Sequence, residues 1–521
     1  MEYQLPPQNL AELVDIQPDP LLLFGPHEDW LAVADRESFP SIESLREPAL
    51  KLAGMRINPA TFAPHAMSGF TNLRLRNLKT RAETPIIGLP TASRLRNLRW
   101  SPDGDRLIFC LITPCGLQLW AADFATAVAQ ALSPPDLSAS LGGSPYEFLG
   151  NNHLIIRRRP PQLGPPPTAP PAGPMVQDSS GQESANRTHQ NLLQSPHEEA
   201  LFRYYATVQL YCLHLATLAL EPWAAAGMIT SLDEAPGGEY LLITYLEEPF
   251  SYRVPHPYFA DRVELLDRSG KLITTLAHRP VADQLPPAIG AVIPQSRRYQ
   301  WRSDHSAQLY WVEAQDGGDP RNEVPFHDQL FFLEAPFESA VPQASLALPL
   351  RLGSLQWCRG DLAIAIDWRW KDRRQVVRRW FPDEPQRPAE ILFDLNWEDK
   401  YQDPGSFLTT TLPNEHTVLM TRGEMGEKLV LLGNGHAEAG EQPFLAEYNL
   451  QDSSIKRLWQ SSPPAFERPV YFRPEFPDSF IISRESNTER PNFFLRHFSN
   501  KEEIPLNRLS PPLPRPQKRQ V

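Results

Sequence analysis

The 521-residue chain has few cysteines and no cysteine pattern that binds metal. Its four cysteines (Cys110, Cys115, Cys212 and Cys358) show no CxxC spacing, so they predict neither a zinc site nor a disulfide framework. Scattered free thiols are typical of a reducing compartment. The chain contains no HExxH motif and no EF-hand loop. We therefore expect no metal site and no cofactor.

The chain also lacks long apolar runs and an excess of basic residues. No stretch approaches the roughly 20 apolar residues of a membrane helix. The first 15 residues lack the basic and apolar regions of a signal peptide. Fifty Lys and Arg residues against 62 Asp and Glu residues give a net charge of −12, which disfavours non-specific nucleic-acid binding. We expect a cytoplasmic protein with no membrane or nucleic-acid partner, and the oligomeric state stays open.

Proline, by contrast, is abundant, and glycine is slightly scarce. The chain has 56 Pro and 27 Gly residues, and this proline share is roughly double the usual one. Because proline breaks helices and central strands, a helical bundle, a solenoid or a TIM barrel is disfavoured. The 12 Trp, 14 Tyr and 25 Phe residues are enough for a large core, which excludes a wholly disordered chain.

A turn followed by an apolar strand recurs along the chain. The clearest copy is residues 100–109, where Ser-Pro-Asp-Gly forms the turn. Degenerate copies begin at residues 24, 148, 234, 301, 357, 411 and 472. The last four lie about 55 to 60 residues apart, which suits one four-stranded propeller blade with long loops. We predict an all-β fold, a seven- or eight-bladed β-propeller, with an array of sandwiches as the alternative.

The predicted propeller covers residues 1–506 and has two insertions, at about residues 40–76 and 159–200. The second insertion starts with a proline-rich run and ends in a short helix predicted over residues 196–205, with Ser195 as N-cap and Pro196 at the first helical position. Residues 507–521 are rich in proline and basic side chains. They predict a disordered tail or a short polyproline segment.

Several long segments resemble one peptidase family. They are residues 3–15, 51–57, 173–193, 196–207, 249–255, 310–320, 399–406 and 443–448. These segments resemble the β-propeller half of the prolyl oligopeptidase family of serine peptidases, and most closely the glutamyl endopeptidase branch of plastids and bacteria. The resemblance implies a propeller that guides peptides to an α/β-hydrolase domain, and it implies a plastid stroma location for plant members.

The chain departs from that family in one respect. It contains no G-x-S-x-G nucleophile elbow; residues 67–69 and 142–145 lack the paired glycines. We expect the hydrolase domain with its catalytic triad to be missing from this chain, through a frameshift, a split gene or trimming. We therefore predict no catalytic residues in this chain. The chain alone is expected to be inactive. Its expected partners are peptides and a separately encoded hydrolase domain.

Selectivity for glutamate requires a cation, and the resemblance implies that loops of the propeller supply it. Arginine suits this role because its guanidinium binds a carboxylate with two hydrogen bonds. The candidates are Arg253 in PFSYRVP and Arg321 in DGGDPRNEVP, with Tyr252 lining the same region. For each of the three, an interaction within the propeller is the structural alternative. The alternative function is a stand-alone propeller that binds proteins or peptides.

Four motifs with a conceivable functional role are interpreted as structural. Residues 197–199 (His-Glu-Glu) are read as first-turn acids of a helix rather than metal ligands. Residues 316–319 (Asp-Gly-Gly-Asp) are read as a tight turn rather than a calcium loop. Residues 368–380 interleave basic and aromatic side chains, and they predict two edge-like strands rather than a nucleic-acid site. The arginines at 157–159 are expected to be solvated.

Overall fold

The computed structural model describes residues 6–15, 17–26, 29–39, 42–169, 188–472, 478–498 and 503–507. Within this part of the chain, antiparallel β-sheet dominates, so the predicted all-β class is confirmed. The helices are α1 (Gln8–Val14), α2 (Ile42–Arg46), α3 (Pro196–Ala206) and a 3₁₀ turn at His256–Tyr258. None of the helices in the described ranges is long and apolar enough to cross a membrane.

Residue contacts divide the chain into two compact units, which are described separately. Unit 1 comprises Met1–Leu21, Arg76–Glu83 and Leu352–Val521, and unit 2 comprises Leu22–Leu75 and Thr84–Arg351. The predicted single propeller domain with its tail stays a prediction.

Unit 2 contains nearly all of sheets 1 to 4. Sheet 1 has eight strands: Leu21–Phe24, Trp30–Arg36, Phe70–Asn77, Glu83–Pro85, Leu95–Trp100, Arg106–Thr113, Gly116–Asp123 and Ala129–Ala131. Sheet 2 consists of Tyr146–Leu149, His153–Arg158, Gln209–His214 and Leu220–Pro222. Sheet 3 consists of Met228–Glu234, Tyr240–Leu246, Asp261–Asp267 and Leu272–Arg279. Sheet 4 consists of Arg297–Trp301, Gln308–Ala314, Asp328–Glu334 and Gln343–Leu348. A small sheet is formed by Leu50–Leu52, Met55–Asn58 and Ala63–Pro64.

Unit 1 contains nearly all of sheet 5 and the whole of sheets 6 and 7. Sheet 5 consists of Arg351–Arg359, Leu362–Arg369, Arg374–Trp380 and Glu390–Asn396. Sheet 6 consists of Ser406–Phe407, Thr421–Arg422, Lys428–Gly433, Phe444–Asn449 and Ile455–Gln460. Sheet 7 consists of Phe466–Phe472, Ser479–Ser486, Glu489–His497 and Glu503–Pro505. Two small hairpins pair Thr409–Thr411 with Thr417–Leu419 and His436–Ala437 with Gly440–Glu441.

Sheets 2, 3, 4, 5 and 7 are four-stranded antiparallel meanders in which each strand pairs with the next along the chain. This is the arrangement of a propeller blade, so the predicted β-propeller class is confirmed. The number of blades, seven or eight, stays a prediction. Neighbouring sheets of unit 2 pack face to face, as shown by a buried cluster that joins Ile155 and Leu210 of sheet 2 to Ile229 and Leu241 of sheet 3.

The turns read from the sequence form where they are expected. In residues 100–109, the Gly104 backbone N–H donates to the Ser101 carbonyl at 2.8 Å, and Gly104 has a φ of +78° that favours glycine. The strand Arg106–Thr113 follows directly. In sheet 3, Gly270 closes the hairpin turn after Asp267 in the same way, at 2.9 Å.

The two insertions both connect the second strand of a sheet to its third. The predicted helix is confirmed as α3, with Ser195 as N-cap and Pro196 in the first turn. The first insertion ends near residue 69 rather than 76, because Phe70–Asn77 is a strand of sheet 1. Residues 170–187 of the second insertion, residues 473–477 of the last repeat and the tail from residue 508 lie outside the described residues.

The prediction of edge-like strands at residues 368–380 is wrong. Leu362–Arg369 and Arg374–Trp380 are the two middle strands of sheet 5. The charged side chains are tolerated there because they form ion pairs; Arg378, for example, pairs with the buried Asp367 at 2.8 Å.

Candidate functional site

Three of the segments that carry the family resemblance meet in one hydrophobic cluster of unit 2, here called the insertion cluster. It consists of the small sheet (residues 50–64), α3 and the connection at residues 247–260. Phe202 of α3 is fully buried at its centre. Its ring lies 5.0 Å from the Phe250 ring and 5.7 Å from the Phe259 ring, both edge to face. The cluster therefore holds two insertions against sheet 3.

Backbone contacts fix the small sheet to the second insertion and to the 247–260 connection. The Gly54 N–H donates to the Asn191 carbonyl at 2.8 Å, and the His256 N–H donates to the Ala53 carbonyl at 2.9 Å. Gly54 has a φ of +88°, and a Cβ there would lie only 2.4 Å from the Cβ of Pro255. Position 54 thus requires glycine both for its backbone conformation and for this close approach.

Side chains of α3 complete the cluster on its exposed side. The Glu198 N–H donates to the Ser195 hydroxyl, and the Glu198 carboxylate accepts from the Gln194 N–H at 2.7 Å. Glu198 therefore caps the start of the helix, which supports the interpretation of residues 197–199 as part of a helix start. Arg203 binds both carboxylate oxygens of Glu248 in the connection, at 2.5 and 2.7 Å. Among the described residues, no group of three or more His, Cys, Asp or Glu side chains could hold a metal.

The structure places Tyr252 and Arg253 on the rim of the insertion cluster. Tyr252 is 43% exposed. Partial burial and a hydrogen bond to Glu199 raise the pKa of its phenol. Arg253 faces Asp283 at 3.6 Å. Arg253 is therefore already balanced by an acid of its own unit, as the structural alternative for it supposes.

Arg321 lies on a different loop, between the second and third strands of sheet 4. Its guanidinium binds both oxygens of Asp319, with contacts of 2.6 to 3.2 Å, and it is largely exposed. The segment between sheets 3 and 4 touches both loops, since the Ala282 N–H donates to the Tyr258 carbonyl and the Val292 N–H donates to the Gly318 carbonyl. The backbone of this segment thus joins the two loops, although Arg321 is not part of the insertion cluster.

Residues 316–319 form a turn over a buried ion cluster. Asp316 is fully buried; it pairs with Arg351 and with His327, the latter at 2.8 Å, and it accepts the Gly318 N–H at 2.9 Å. Arg351 also pairs with the buried Asp328. Because Asp316 is committed to these partners, the loop geometry supports the turn interpretation over a calcium loop.

The expectation that the arginines at 157–159 are solvated is wrong. Arg157 is only 6% exposed. Arg158 binds both oxygens of Asp136 with its Nε, at 3.0 and 2.9 Å. The Arg159 guanidinium lies 4.2 Å from the centre of the Phe62 ring. The three side chains are therefore buried or partly buried, and Arg159 packs against Phe62 of the insertion cluster.

Within the described ranges, Arg157 forms no ion pair and its Nε has no hydrogen-bond partner, which is also true of Arg159. The Arg159 guanidinium, however, donates to the Ala60 and Cys115 carbonyls, whereas the Arg157 guanidinium makes no hydrogen bond with the described residues. Burial lowers its pKa, and the charge of Glu147 opposes this. Glu147 itself pairs with Arg99 at 2.7 Å. A buried guanidinium without its own acid is suited to bind the carboxylate of a ligand. The sequence signal was the run of three arginines that opens the second insertion.

Acidic side chains lie nearby on the first strands of sheets 2 and 3. Asp233 is partly buried, and burial together with the charges of Glu147 and Glu234 raises its pKa to about 7. A carboxyl group with such a pKa changes its charge near neutral pH. Arg157 and Asp233 are therefore groups of unit 2 whose ionisation is opposed by their surroundings.

No family model matches the chain. A probable chloroplastic glutamyl endopeptidase of Oryza sativa subsp. japonica is 31% identical over 547 aligned positions, which cover 99% of this chain and 58% of that protein. One of Arabidopsis thaliana is 30% identical, with 98% and 56% covered. This chain is a homologue of the glutamyl endopeptidases. It spans slightly more than half the length of these relatives, and its recognition as a relative of this branch is confirmed.

The solved structures similar to the chain include chains of several peptidases. An acylaminoacyl peptidase is 9% identical, with 96% of this chain and 53% of that chain covered and a TM-score of 0.39. A prolyl endopeptidase is 12% identical, with 95% and 56% covered and a TM-score of 0.42. The β-propeller domain of the trilobed protease of Pyrococcus furiosus is 10% identical, with 94% and 95% covered and a TM-score of 0.36.

Proposed function

We propose that this chain is the non-catalytic propeller part of a glutamyl endopeptidase-like serine peptidase. It guides and selects peptides for a hydrolase domain that is supplied from outside these 521 residues, in the same polypeptide or by another one. The observation that carries the proposal is the end-to-end alignment with plant glutamyl endopeptidases, of which this chain spans only 58% and 56%. A cytoplasmic location belongs to the same proposal; the relatives are named chloroplastic.

The chemistry that this chain contributes is binding rather than bond cleavage. Within its 521 residues there is no G-x-S-x-G elbow to hold a nucleophilic serine. The insertion cluster joins two insertions and one sheet connection into a single packed surface, and peptide-guiding side chains on it are pre-positioned by that packing. The chain thus influences the reaction by controlling which peptides reach the catalytic groups.

Arg157 is the side chain we propose for contact with an acidic peptide side chain. Its guanidinium is buried and lacks an ion pair among the described residues, so a substrate carboxylate would not have to displace a protein acid. Tyr252 and Arg253 on the rim of the insertion cluster, and Arg321 on its separate loop, stay in the proposal as residues that contact the peptide. The arginines among them are less suited to selectivity because Asp283 and Asp319 already occupy them.

The test is reconstitution of activity. The full chain is mixed with the separately expressed part of the rice relative that it does not cover, and cleavage is followed on peptides that differ only by Glu or Gln before the scissile bond. We expect cleavage after Glu by the mixture and by neither chain alone. Arg157→Met is expected to reduce the preference for Glu over Gln about tenfold, as loss of one charge-assisted contact would.

The outcomes separate the two parts of the proposal. Hydrolysis by this chain alone contradicts the non-catalytic role. An active mixture whose preference is unchanged by Arg157→Met rejects the role of Arg157 and leaves the propeller role standing. Peptide binding by this chain without any reconstituted cleavage supports the alternative function, a stand-alone binding module.

A further inference from the structure

A cavity of about 320 Å³ in unit 1 is bounded by sheet 5 and by the connection that follows this sheet, residues 397–405. Its floor is one face of sheet 5, where Ile366, Val377 and Phe393 lie directly opposite one another on three neighbouring strands. Opposite residues of an antiparallel ladder share a face, so these three side chains form a continuous apolar patch. The volume lies in the range of small-molecule sites, roughly 300–1,000 Å³.

A polar side chain interrupts the floor beside the apolar patch. Gln375 lies two residues before Val377 on the same strand, and therefore on the same face of the sheet. It lines the cavity, is partly buried, and its amide makes no hydrogen bond with the described residues. Because a glutamine amide both donates and accepts hydrogen bonds, it suits a ligand that carries a peptide group.

Charges of both signs line the cavity on the side of the connection. Asp399, Lys400 and Asp403 belong to this connection, and none of them forms an ion pair with the described residues. Asp399 and Asp403 each accept only a local backbone N–H, at 3.2 and 2.9 Å. Asp394, which also lines the cavity, is already paired with Arg374 at 2.7 Å. The available charges therefore match a ligand that carries both a carboxylate and an ammonium group.

We propose that this cavity binds a short zwitterionic peptide with apolar side chains, of the size of a dipeptide. Its carboxylate pairs with Lys400, and its ammonium group pairs with Asp399 or Asp403. Its peptide group forms hydrogen bonds with Gln375, and an apolar side chain covers the apolar patch. A ligand of one charge sign leaves part of the site unpaired, and a free amino acid lacks the peptide group. The proposal is independent of the proposed function, because it concerns binding to this chain alone.

The experiment is isothermal titration calorimetry of the full chain with the dipeptide Leu-Leu, for which we expect saturable binding. Three analogues each lack one recognised group. Acetyl-Leu-Leu has no ammonium group, Leu-Leu amide has no carboxylate, and Glu-Glu has no apolar side chain. Each analogue is expected to bind about tenfold more weakly than Leu-Leu, as the loss of one such contact predicts.

Variants assign each contact to a side chain. Lys400→Met is expected to weaken the binding of Leu-Leu about tenfold and to leave that of Leu-Leu amide unchanged, because the amide has no carboxylate. Asp399→Asn/Asp403→Asn keeps an acceptor oxygen in both turns; it should weaken Leu-Leu and not acetyl-Leu-Leu. Gln375→Leu should weaken Leu-Leu as well. The control is Asp452→Asn, which removes an exposed turn carboxylate of the same unit and should change nothing.

The midpoint of thermal unfolding is measured for each variant, so that loss of binding is not confused with loss of fold. No saturable binding of Leu-Leu up to about 10 mM would overturn the proposal. Binding that neither acetylation nor amidation weakens would overturn it too, because the charged groups of the ligand then contribute nothing. Binding that none of the three cavity variants weakens, in proteins with an unchanged midpoint, would place the peptide at another site.

Discussion

At the scale of the residue, the most informative side chain is one whose charge its surroundings do not neutralise. Arg157 is 6% exposed and forms no ion pair in the described ranges, whereas Arg158, the next residue, binds Asp136. Proteins retain such a costly buried charge where a ligand uses it, at the expense of stability. The two adjacent arginines therefore provide a matched test of that interpretation.

Replacing Arg157 with methionine is expected to stabilise the protein. The variant removes an unpaired buried charge and keeps the apolar stem, so the free energy of unfolding should rise by about 1 kcal/mol. Arg158→Met, measured by the same urea denaturation, should lower it because it leaves the Asp136 carboxylate without its partner. A stability loss in the Arg157 variant would show that the described protein already satisfies this guanidinium.

The raised pKa of Asp233 predicts a stability that depends on pH. With a folded-state pKa of about 7 against 3.8 for the ordinary group, the folded state binds the proton more tightly, and stability falls as pH rises between about 4 and 7. Asp233→Asn removes the ionisation. We expect it to raise the midpoint of thermal unfolding at pH 8, by at least about 2 °C, and to change it little at pH 4.

The control for this variant is Asp105→Asn, an exposed carboxylate of the same unit. Asp105→Asn should not shift the midpoint of thermal unfolding more at pH 8 than at pH 4. Equal shifts of Asp233→Asn at both pH values would mean that the ionised carboxylate is not destabilising, and would contradict the electrostatic explanation.

At the scale of the element, ion pairs between strands hold the end of the described chain in place. The last strand, Glu503–Pro505, has only three residues and pairs with Glu489–His497. Its Glu503 carboxylate accepts hydrogen bonds from Arg484 and from Arg496, at 2.5 to 3.0 Å. Burial opposes the ionisation of Glu503, but these bonds lower its pKa. The ion pairs of Glu503 thus add to the backbone pairing of this short strand.

Glu503→Gln is therefore expected to loosen the last strand. We expect the free energy of unfolding of this strand to fall by about 1–3 kcal/mol at pH 7, because two guanidinium groups lose a charged partner. The loss should shrink as the pH falls through the lowered pKa of Glu503, because the wild-type carboxylate is then protonated as well. Hydrogen exchange of residues 503–506 is the measurement, and it should accelerate at neutral pH.

The matched control is Glu485→Gln, an exposed acid of sheet 7 on the strand Ser479–Ser486, which does not pair with the last strand. In this control variant, the backbone amides of residues 503–506 should exchange as in the unmodified chain. Unchanged protection of residues 503–506 in Glu503→Gln would show that backbone pairing, not the ion pairs, anchors this strand.

At the scale of the whole molecule, the distribution of charge bears on possible partners. The net charge is −12, and the five arginines of residues 368–380 each form an ion pair. The arginines of that stretch pair with acids as follows: Arg369 with Asp372, Arg373 with Glu398, Arg374 with Asp394, Arg378 with Asp367 and Arg379 with Glu390. Counterion release from nucleic acid requires cations that are free to meet phosphates.

We therefore predict that the protein does not bind single-stranded DNA at physiological salt. Fluorescence anisotropy of a labelled 20-nucleotide oligothymidine, titrated with the protein in 0.15 M salt, should show no binding up to concentrations of about 10⁻⁴ M, where non-specific binders already bind. Saturable binding that Trp370→Ala abolishes would contradict the structural interpretation of this aromatic and basic stretch.

Sequence pattern predicted much of the local structure of this protein. The turn at Ser101, the hairpin at Asp267, the helix capped by Ser195 and the all-β class depend on a few neighbouring residues, and each was read correctly. The homology to glutamyl endopeptidases was also readable, since it lies in the residue order itself.

Only the tertiary structure decided which charged groups are free. Whether an arginine is paired depends on acids far away in the chain: Arg203 meets Glu248, 45 residues on, and Arg253 meets Asp283. The burial of Arg157 and the middle position of the 368–380 strands follow from long-range strand pairing and packing, which no local pattern encodes. Local propensity sets the elements, and long-range packing sets the electrostatic environment of each side chain.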